Sequence, residues 1–169
     1  AYMNTGVQRS GLTPFKAWTS TSPSGKVSWG NPTEKKNMPA IAAAHGIPYV
    51  ATASVAYLKD LEKKVKKALE IVGPKYLQIH APCPLGWAHE PYDTIKVAKL
   101  AVQTGLIPIY EMENGVITSV RKITKKAPVE EYLKLQGRFK HLFKKPGFEK
   151  ELERIQAMAD ATIKKFNLM

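Results

Sequence analysis

Ile47-Pro48-Tyr49-Val50-Ala51-Thr52-Ala53 and Lys75-Tyr76-Leu77-Gln78-Ile79-His80, with Leu58 to Val72 between them, decide the fold. The first run is short, apolar and preceded by Gly46, the pattern of a buried strand. The second segment places Leu61, Val65, Ala68, Leu69 and Val72 at spacings of three and four, which predicts a helix with that stripe turned inward. Lys59, Lys63, Lys64, Lys66 and Lys67 fall largely on the other face and are expected in solvent. Gly73-Pro74 stops the helix. Lys75 to His80 is again a short strand. Strand, helix and strand in direct succession predict a parallel α/β sheet. Ligands of such sheets sit in the loops after the strands' carboxyl ends.

Working toward the amino terminus, Asn37 reads as a helix cap, with Pro39 in the first turn, Ile41 to His45 as a short helix and Gly46 as its stop. Residues 15 to 36 have neither helical nor strand periodicity and are rich in Ser, Thr, Pro and Gly. A loop of that length signals function or an interface, and Trp18 and Trp29 are expected to pin it. The first fourteen residues, Ala1-Tyr2-Met3-Asn4-Thr5-Gly6-Val7-Gln8-Arg9-Ser10-Gly11-Leu12-Thr13-Pro14, are polar and carry two glycines. They read as a ligand-lining loop in which the backbone can approach a ligand closely.

Toward the carboxyl terminus, Ala81-Pro82-Cys83-Pro84-Leu85-Gly86-Trp87 follows the second strand as an irregular loop. Asp93 or Thr94 caps a helix that Gly105 ends. Residues 108 to 120 are a hairpin about Asn114-Gly115. Val129 to Gln136 is a short helix, residues 137 to 143 are basic and aromatic, and Phe148 to Phe166 is a final amphipathic helix. The change of character near residue 107 divides the chain into 1–106, an α/β unit, and 107–169, a hairpin and helical tail that contacts a partner subunit.

The 169 residues suit one domain, and 44% apolar composition argues against disorder. No run of eighteen apolar residues is present, so no membrane span is expected. The net charge of +12, from 26 basic and 14 acidic side chains, raises nucleic acid as a partner. No nucleic-acid motif accompanies it, and much of the charge lies in helices that also carry Glu. Cys83 is the single cysteine, which fits a reducing compartment such as the cytoplasm.

Candidates for chemistry are few. A free cysteine is most often a small buried hydrophobe, although the prolines flanking Cys83 oppose tight packing. As a nucleophile it needs a base, for which His80 and His89 are near in sequence. As a cluster ligand it needs thiolates from elsewhere. The residues alone leave all three roles open. His45, His80, His89 and His141 show no metal-ligand spacing. Glu111 and Glu113 share one strand face, expected to be solvated. No phosphate-cradling glycine motif is complete.

Four stretches carry a resemblance: residues 1–10, His45 to Ser54, His80 to Trp87, and Glu130 to Phe143. Together they resemble the thiamine-diphosphate-binding β subunit of the 2-oxoacid:ferredoxin oxidoreductases, most closely the pyruvate type. The resemblance implies the carboxyl-terminal half of a thiamine-diphosphate-binding domain. An upstream half would carry a Gly-Asp-Gly motif and most of the cluster cysteines. It implies that Ala1 gives a backbone carbonyl to Mg²⁺, and that Tyr2, Met3 and Asn4 wall the thiamine diphosphate. The Asn4 amide would lie near the substrate, as the catalytic side chain. It implies that Cys83 is the fourth thiolate of a [4Fe-4S] cluster. The implied reaction converts pyruvate and CoA to acetyl-CoA and CO₂, reversibly, with ferredoxin taking the electrons and other subunits completing the enzyme. Three alternatives stand beside it: branched-chain 2-oxoacids as substrates, a stand-alone basic nucleic-acid-binding module, and a fragment that folds but binds nothing.

Overall fold

Every residue of Tyr49–Ser54 is buried, so this strand has both faces covered, and the sheet is built around it. The computed structural model describes residues 2, 3, 6–144 and 146–169, the side chains of residues 2 and 3 excepted. In chain order its elements are β1 (Tyr2–Met3), β2 (Gln8–Arg9), α1 (Met38–Ala43), β3 (Tyr49–Ser54), α2 (Leu58–Glu70), β4 (Lys75–His80), α3 (Pro84–Trp87), α4 (Thr94–Gln103), β5 (Tyr110–Glu113), β6 (Val116–Val120), α5 (Val129–Lys134) and α6 (Phe148–Phe166). Two 3₁₀ turns, Pro91–Asp93 and Gly137–Phe143, join them.

The main sheet has the order β4-β3-β5-β6. β3 and β4 run parallel, linked by α2 as the sequence predicts. The expected hairpin extends that parallel pair into a larger sheet. β5 joins β3 antiparallel and β6 joins β5 antiparallel, so the sheet is mixed. The cause is local: Asn114 (φ 49°) and Gly115 (φ 80°) form the left-handed turn that favours a tight hairpin. The hairpin then docks on the remaining edge of β3.

α1 starts where expected, with the Asn37 side chain accepting a hydrogen bond from the Ala40 N–H at 3.2 Å. The long loop before it is ordered by its own contacts. Phe15 and Ala17 are buried in the main core. The Asn31 amide donates to the carbonyls of Thr13, Pro14 and Thr33 at 2.9, 3.1 and 2.8 Å. At Gly30 (φ +84°) a Cβ would lie 2.6 Å from the Lys16 carbonyl oxygen. Trp29 packs on the core as expected. Trp18 is more than a third exposed, so Phe15 and Asn31, rather than Trp18, are the pins.

α2 ends at Glu70 and is rolled from the expected face: Ala68 is buried and Leu61 half-buried as expected. Lys64 is also buried, while Leu69 is 79% exposed and Val72, just past the helix, is 94% exposed. The sheet surface beneath α2 explains the roll, because its polar groups need cations. Lys64 Nζ donates to the Thr52 carbonyl at 3.0 Å and pairs with Asp60 at 2.8 Å. Lys67 pairs with Glu111 at 3.0 Å and Glu113 at 2.7 Å. The Tyr49 hydroxyl donates to Glu111 at 2.8 Å. The expectation of a solvated Glu111 therefore fails: it is 6% exposed, and its charge is matched by Lys67. Burial alone would raise the Glu111 carboxyl, but hydrogen bonds from Tyr49 and Lys67 carry it below its ordinary value. Lys67 is raised, chiefly by its bond to Glu113, and the Tyr49 hydroxyl is raised by burial and by Glu111.

One further expectation is corrected. Pro84–Trp87 is one helical turn rather than irregular loop, because Pro84 sits at its first positions, where a missing N–H costs nothing. The basic-aromatic segment 137–143 turns inward, with Arg138, Phe139 and Leu142 buried. Among the described residues no helix is long and apolar enough to cross a membrane.

Lys67→Met strips the buried Glu111 of its cation and is expected to lower stability by about 3 kcal/mol, read by denaturant unfolding. The pH dependence has a fixed sign. A carboxyl held below its ordinary value stabilises fully above that value and loses the contribution as pH falls through the folded one. The stability gap between wild type and Glu111→Gln is therefore expected to be widest near neutral pH and to close in acid. A gap that widens in acid refutes the ion pair.

Candidate functional site

The loop leaving the carboxyl end of β4 carries the richest chemistry. Pro82 is buried and Cys83 is exposed. Cys83 caps α3 in an extended conformation (φ −102°, ψ 112°), and its Sγ accepts the Gly86 N–H at 3.5 Å. The turn closes on itself: the Trp87 N–H donates to the Cys83 carbonyl at 2.9 Å and the His89 N–H to the Pro84 carbonyl at 3.2 Å. A sulfur held this way has one face bonded to the backbone and the other in solvent. The buried-core role for Cys83 is excluded by that exposure.

Trp87 anchors the loop. Its buried ring lies 5.5 Å from the His80 ring and 6.4 Å from the His89 ring. The Arg138 guanidinium sits 3.7 Å over the Trp87 ring, the separation of a strong cation–π contact. Arg138 is 2% exposed, and its Nε donates to Gln136 Oε1 at 2.9 Å. Its Nη2 donates to the Tyr132 hydroxyl at 3.4 Å. The Gly137 N–H donates to the Ala88 carbonyl at 2.7 Å. A Cβ at Gly137 would come within 2.7 Å of the Ala88 Cβ, so only glycine lets the two segments meet.

The charges here shift their neighbours. Burial, then the positive charges of Lys35 and Arg138, push His80 down to about 3. Its Nε2 is buried without a hydrogen-bond partner. An imidazole with so low a pKa is a poor base for a thiol at neutral pH, which weakens the nucleophile role of Cys83. Lys35 is pushed down to about 8 by burial and by Arg138. It lines a cavity of about 620 Å³ between the sheet and α6, with Thr52, Gln78, Tyr110, Met158 and Phe166 on its walls.

The opening segment lies on a separate ribbon. β1 pairs antiparallel with β2, Tyr2 opposite Arg9 and Met3 opposite Gln8. The ribbon rests on the long loop, through Ser20 N–H to the Val7 carbonyl at 3.1 Å and Arg9 N–H to Thr21 Oγ1 at 2.9 Å. Ala1 and Asn4 lie outside the described residues. Among the described residues no group of three His, Cys, Asp or Glu side chains is placed to hold a metal ion. The residues present therefore fit one sulfur ligand of a cluster, not a whole one. Lys35 and Arg138 escaped the sequence, because nothing local distinguishes a lysine or arginine destined for a half-buried or buried position.

Four similarities follow from comparison with known proteins. Residues 1–79 match the family described as thiamine pyrophosphate enzyme, C-terminal TPP binding domain. The chain is 62% identical, over 99% of its length and 57% of the relative's, to a pyruvate synthase subunit PorB of Methanosarcina barkeri. It is 50% identical, over 99% of its length and 55% of the relative's, to a PorB of Methanocaldococcus jannaschii. A ketoisovalerate oxidoreductase subunit VorB of Pyrococcus abyssi is 51% identical over 85% of the chain and 47% of that relative. The chain spans about half the length of the curated relatives it matches.

Gly137→Ala is expected to cost about 1–3 kcal/mol by overpacking against Ala88. It should also speed hydrogen exchange at the Gly86 amide, as the Cys83 turn is pushed off its support. The His80 ring is expected to show no titration between pH 5 and 8 by NMR; a midpoint near its ordinary value would dissolve the cationic surroundings described above.

Proposed function

We propose that the chain, which matches the thiamine pyrophosphate enzyme family over residues 1–79 and is similar to PorB subunits, works as part of a 2-oxoacid oxidoreductase. The reaction is the oxidative decarboxylation of pyruvate to acetyl-CoA and CO₂, reversible, with ferredoxin accepting electrons and CoA the acyl group. The observation that carries this reading is the 62% identity to PorB across 99% of the chain. The exposed, backbone-bonded Cys83 supports it from the side of the structure.

Thiamine diphosphate, when bound, supplies a thiazolium carbon that can hold the electron pair left by CO₂. The chain's own residues have the supporting roles. Ala1 offers a backbone carbonyl suited to a hard cation such as Mg²⁺. Tyr2 and Met3 wall the cofactor, and the Asn4 amide orients the substrate carboxylate or carbonyl. Cys83 gives one thiolate to a [4Fe-4S] cluster, with the remaining thiolates coming from outside the described residues. The buried Arg138–Trp87 stack holds the Cys83 turn in place. Residues 1–106 serve the cofactor, and residues 107–169 contact other subunits. The setting is cytoplasmic, where thiols stay reduced.

A second reading keeps the chemistry and changes the substrate to a branched-chain 2-oxoacid. The VorB likeness, 51% over 146 residues, favours it. A pyruvate-against-ketoisovalerate comparison of kcat/KM on the assembled enzyme decides between them.

In the assembled enzyme, Cys83→Ser is expected to remove the iron of one cluster and its low-temperature spectroscopic signal. Unchanged iron content refutes the ligand role. Asn4→Ala is expected to lower kcat by about 10²–10³, the loss typical of one donor aimed at the reacting centre, with thiamine diphosphate content unchanged.

A further inference from the structure

The cavity of about 620 Å³ between the sheet and α6 has a polar side and an apolar side. Its volume is that of a small-molecule site. Thr52, Gln78 and Tyr110 form the sheet wall. Thr52 stands opposite Gln78 across β3 and β4, and the Tyr110 N–H donates to Thr52 Oγ1 at 2.9 Å. Alternation along β5 turns Tyr110 to the face opposite Glu111, away from α2. Leu106, Ile107, Met158 and Phe166 give the rest of the lining its apolar character.

The sheet wall holds donors that the described residues leave unused. Gln78 Oε1 accepts from the Tyr76 hydroxyl at 3.3 Å, while its amide N–H groups have no partner among the described residues. Tyr110 is 3% exposed, and its hydroxyl likewise has none. Burial, then Tyr76, push that hydroxyl up to about 12, so it remains a donor. Lys35 is half-buried, and no described residue forms an ion pair with it. Arg138 adds to its positive surroundings, and no carboxylate offsets them. Glu34, the one carboxylate of the lining among the described residues, pairs with Arg154 at 3.7 Å instead. Lys36 and Lys165 are exposed and keep their charge in solvent.

We infer that this cavity binds a small organic acid, one carboxylate on an apolar body, with the carboxylate paired to Lys35 and the body against Met158 and Phe166. A lone half-buried ammonium calls for a single negative charge. The unused donors of the sheet wall then have an acceptor within the same cavity. Water alone would meet the donors and leave the apolar lining wet. A neutral apolar molecule would leave Lys35 without a counterion. Pyruvate is too short to cover the apolar lining, so the site is separate from the reaction proposed above and does not rest on it.

The test titrates decanoate into the assembled enzyme by calorimetry, beside decylamine and 1-decanol as cationic and neutral probes of equal chain length. Decanoate is expected to bind once per chain and at least tenfold more tightly than either. Lys35→Gln is expected to fold, since it removes a cation that holds no ion pair, and to erase that preference. Lys35→Arg should retain it. Ala161→Trp plugs the cavity from an exposed position on α6. It should lower decanoate affinity at least tenfold without lowering the melting temperature. Bound decanoate is expected to slow hydrogen exchange in residues 35–39 and 155–166. The inference is overturned if the three probes bind alike, if Lys35→Gln or Ala161→Trp leaves decanoate binding unchanged, if protection falls on other segments, or if decanoate does not bind. Saturating pyruvate should not displace decanoate; displacement assigns the anion to the substrate site and overturns the inference as well.

Discussion

The contact of Lys67 with Glu111 and Glu113 sets how α2 lies on the sheet. A helix carrying five lysines and a leucine-valine stripe has two ways to settle on a surface. Burying the stripe would leave Glu111 and the Tyr49 hydroxyl under a hydrocarbon lid without a counterion, a penalty of several kcal/mol. Turning Lys64 and Lys67 to the sheet satisfies those groups, and Ala68 still packs with Tyr49 and Ala51 beneath the helix. The sheet face therefore chooses the helix face. The orientation of α2 in turn fixes the crossover to β4, and β4 positions the loop that carries Cys83.

A second constraint lies beneath that loop. Arg138 is a buried cation held by an aromatic face, a glutamine and a tyrosine hydroxyl. Such a group is costly to bury unless its donors are engaged, so its position is exacting. Trp87 contacts both Arg138 and His80, and it belongs to the turn that Cys83 caps. Burial, and then the positive charges of Lys35 and Arg138, disfavour a protonated His80 in the same arrangement.

Local features were legible in the sequence. The Asn114-Gly115 turn, the Asn37 cap, the span of α6 and the strands β3 and β4 all follow from residues within a few positions of one another. What the sequence hid depends on partners far along the chain. Lys64 and Lys67 are indistinguishable from Lys63 and Lys66 until β3 and β5 are beneath them. Arg138 looks like one more basic residue in a basic tail until Trp87 lies against it. Glu111 was misjudged for the same reason: its strand face is solvated in an isolated hairpin and covered once α2 crosses it. Of the site, the Cys83 loop was legible because two prolines mark it, and Lys35 was not.

The long loop before α1, besides its own contacts, is tied to the far end of the chain. The Trp18 N–H bonds the Arg138 carbonyl at 2.8 Å, and His141 meets the Trp29 carbonyl at 3.2 Å. Lys16 pairs with Glu151 at 3.2 Å, and Arg154 stacks 4.3 Å over Phe15. Contacts this distant in sequence close late in folding. During synthesis these contacts wait until α6 has left the ribosome. The ribbon of β1 and β2, which leans on that loop, is therefore made before the segments that secure its support.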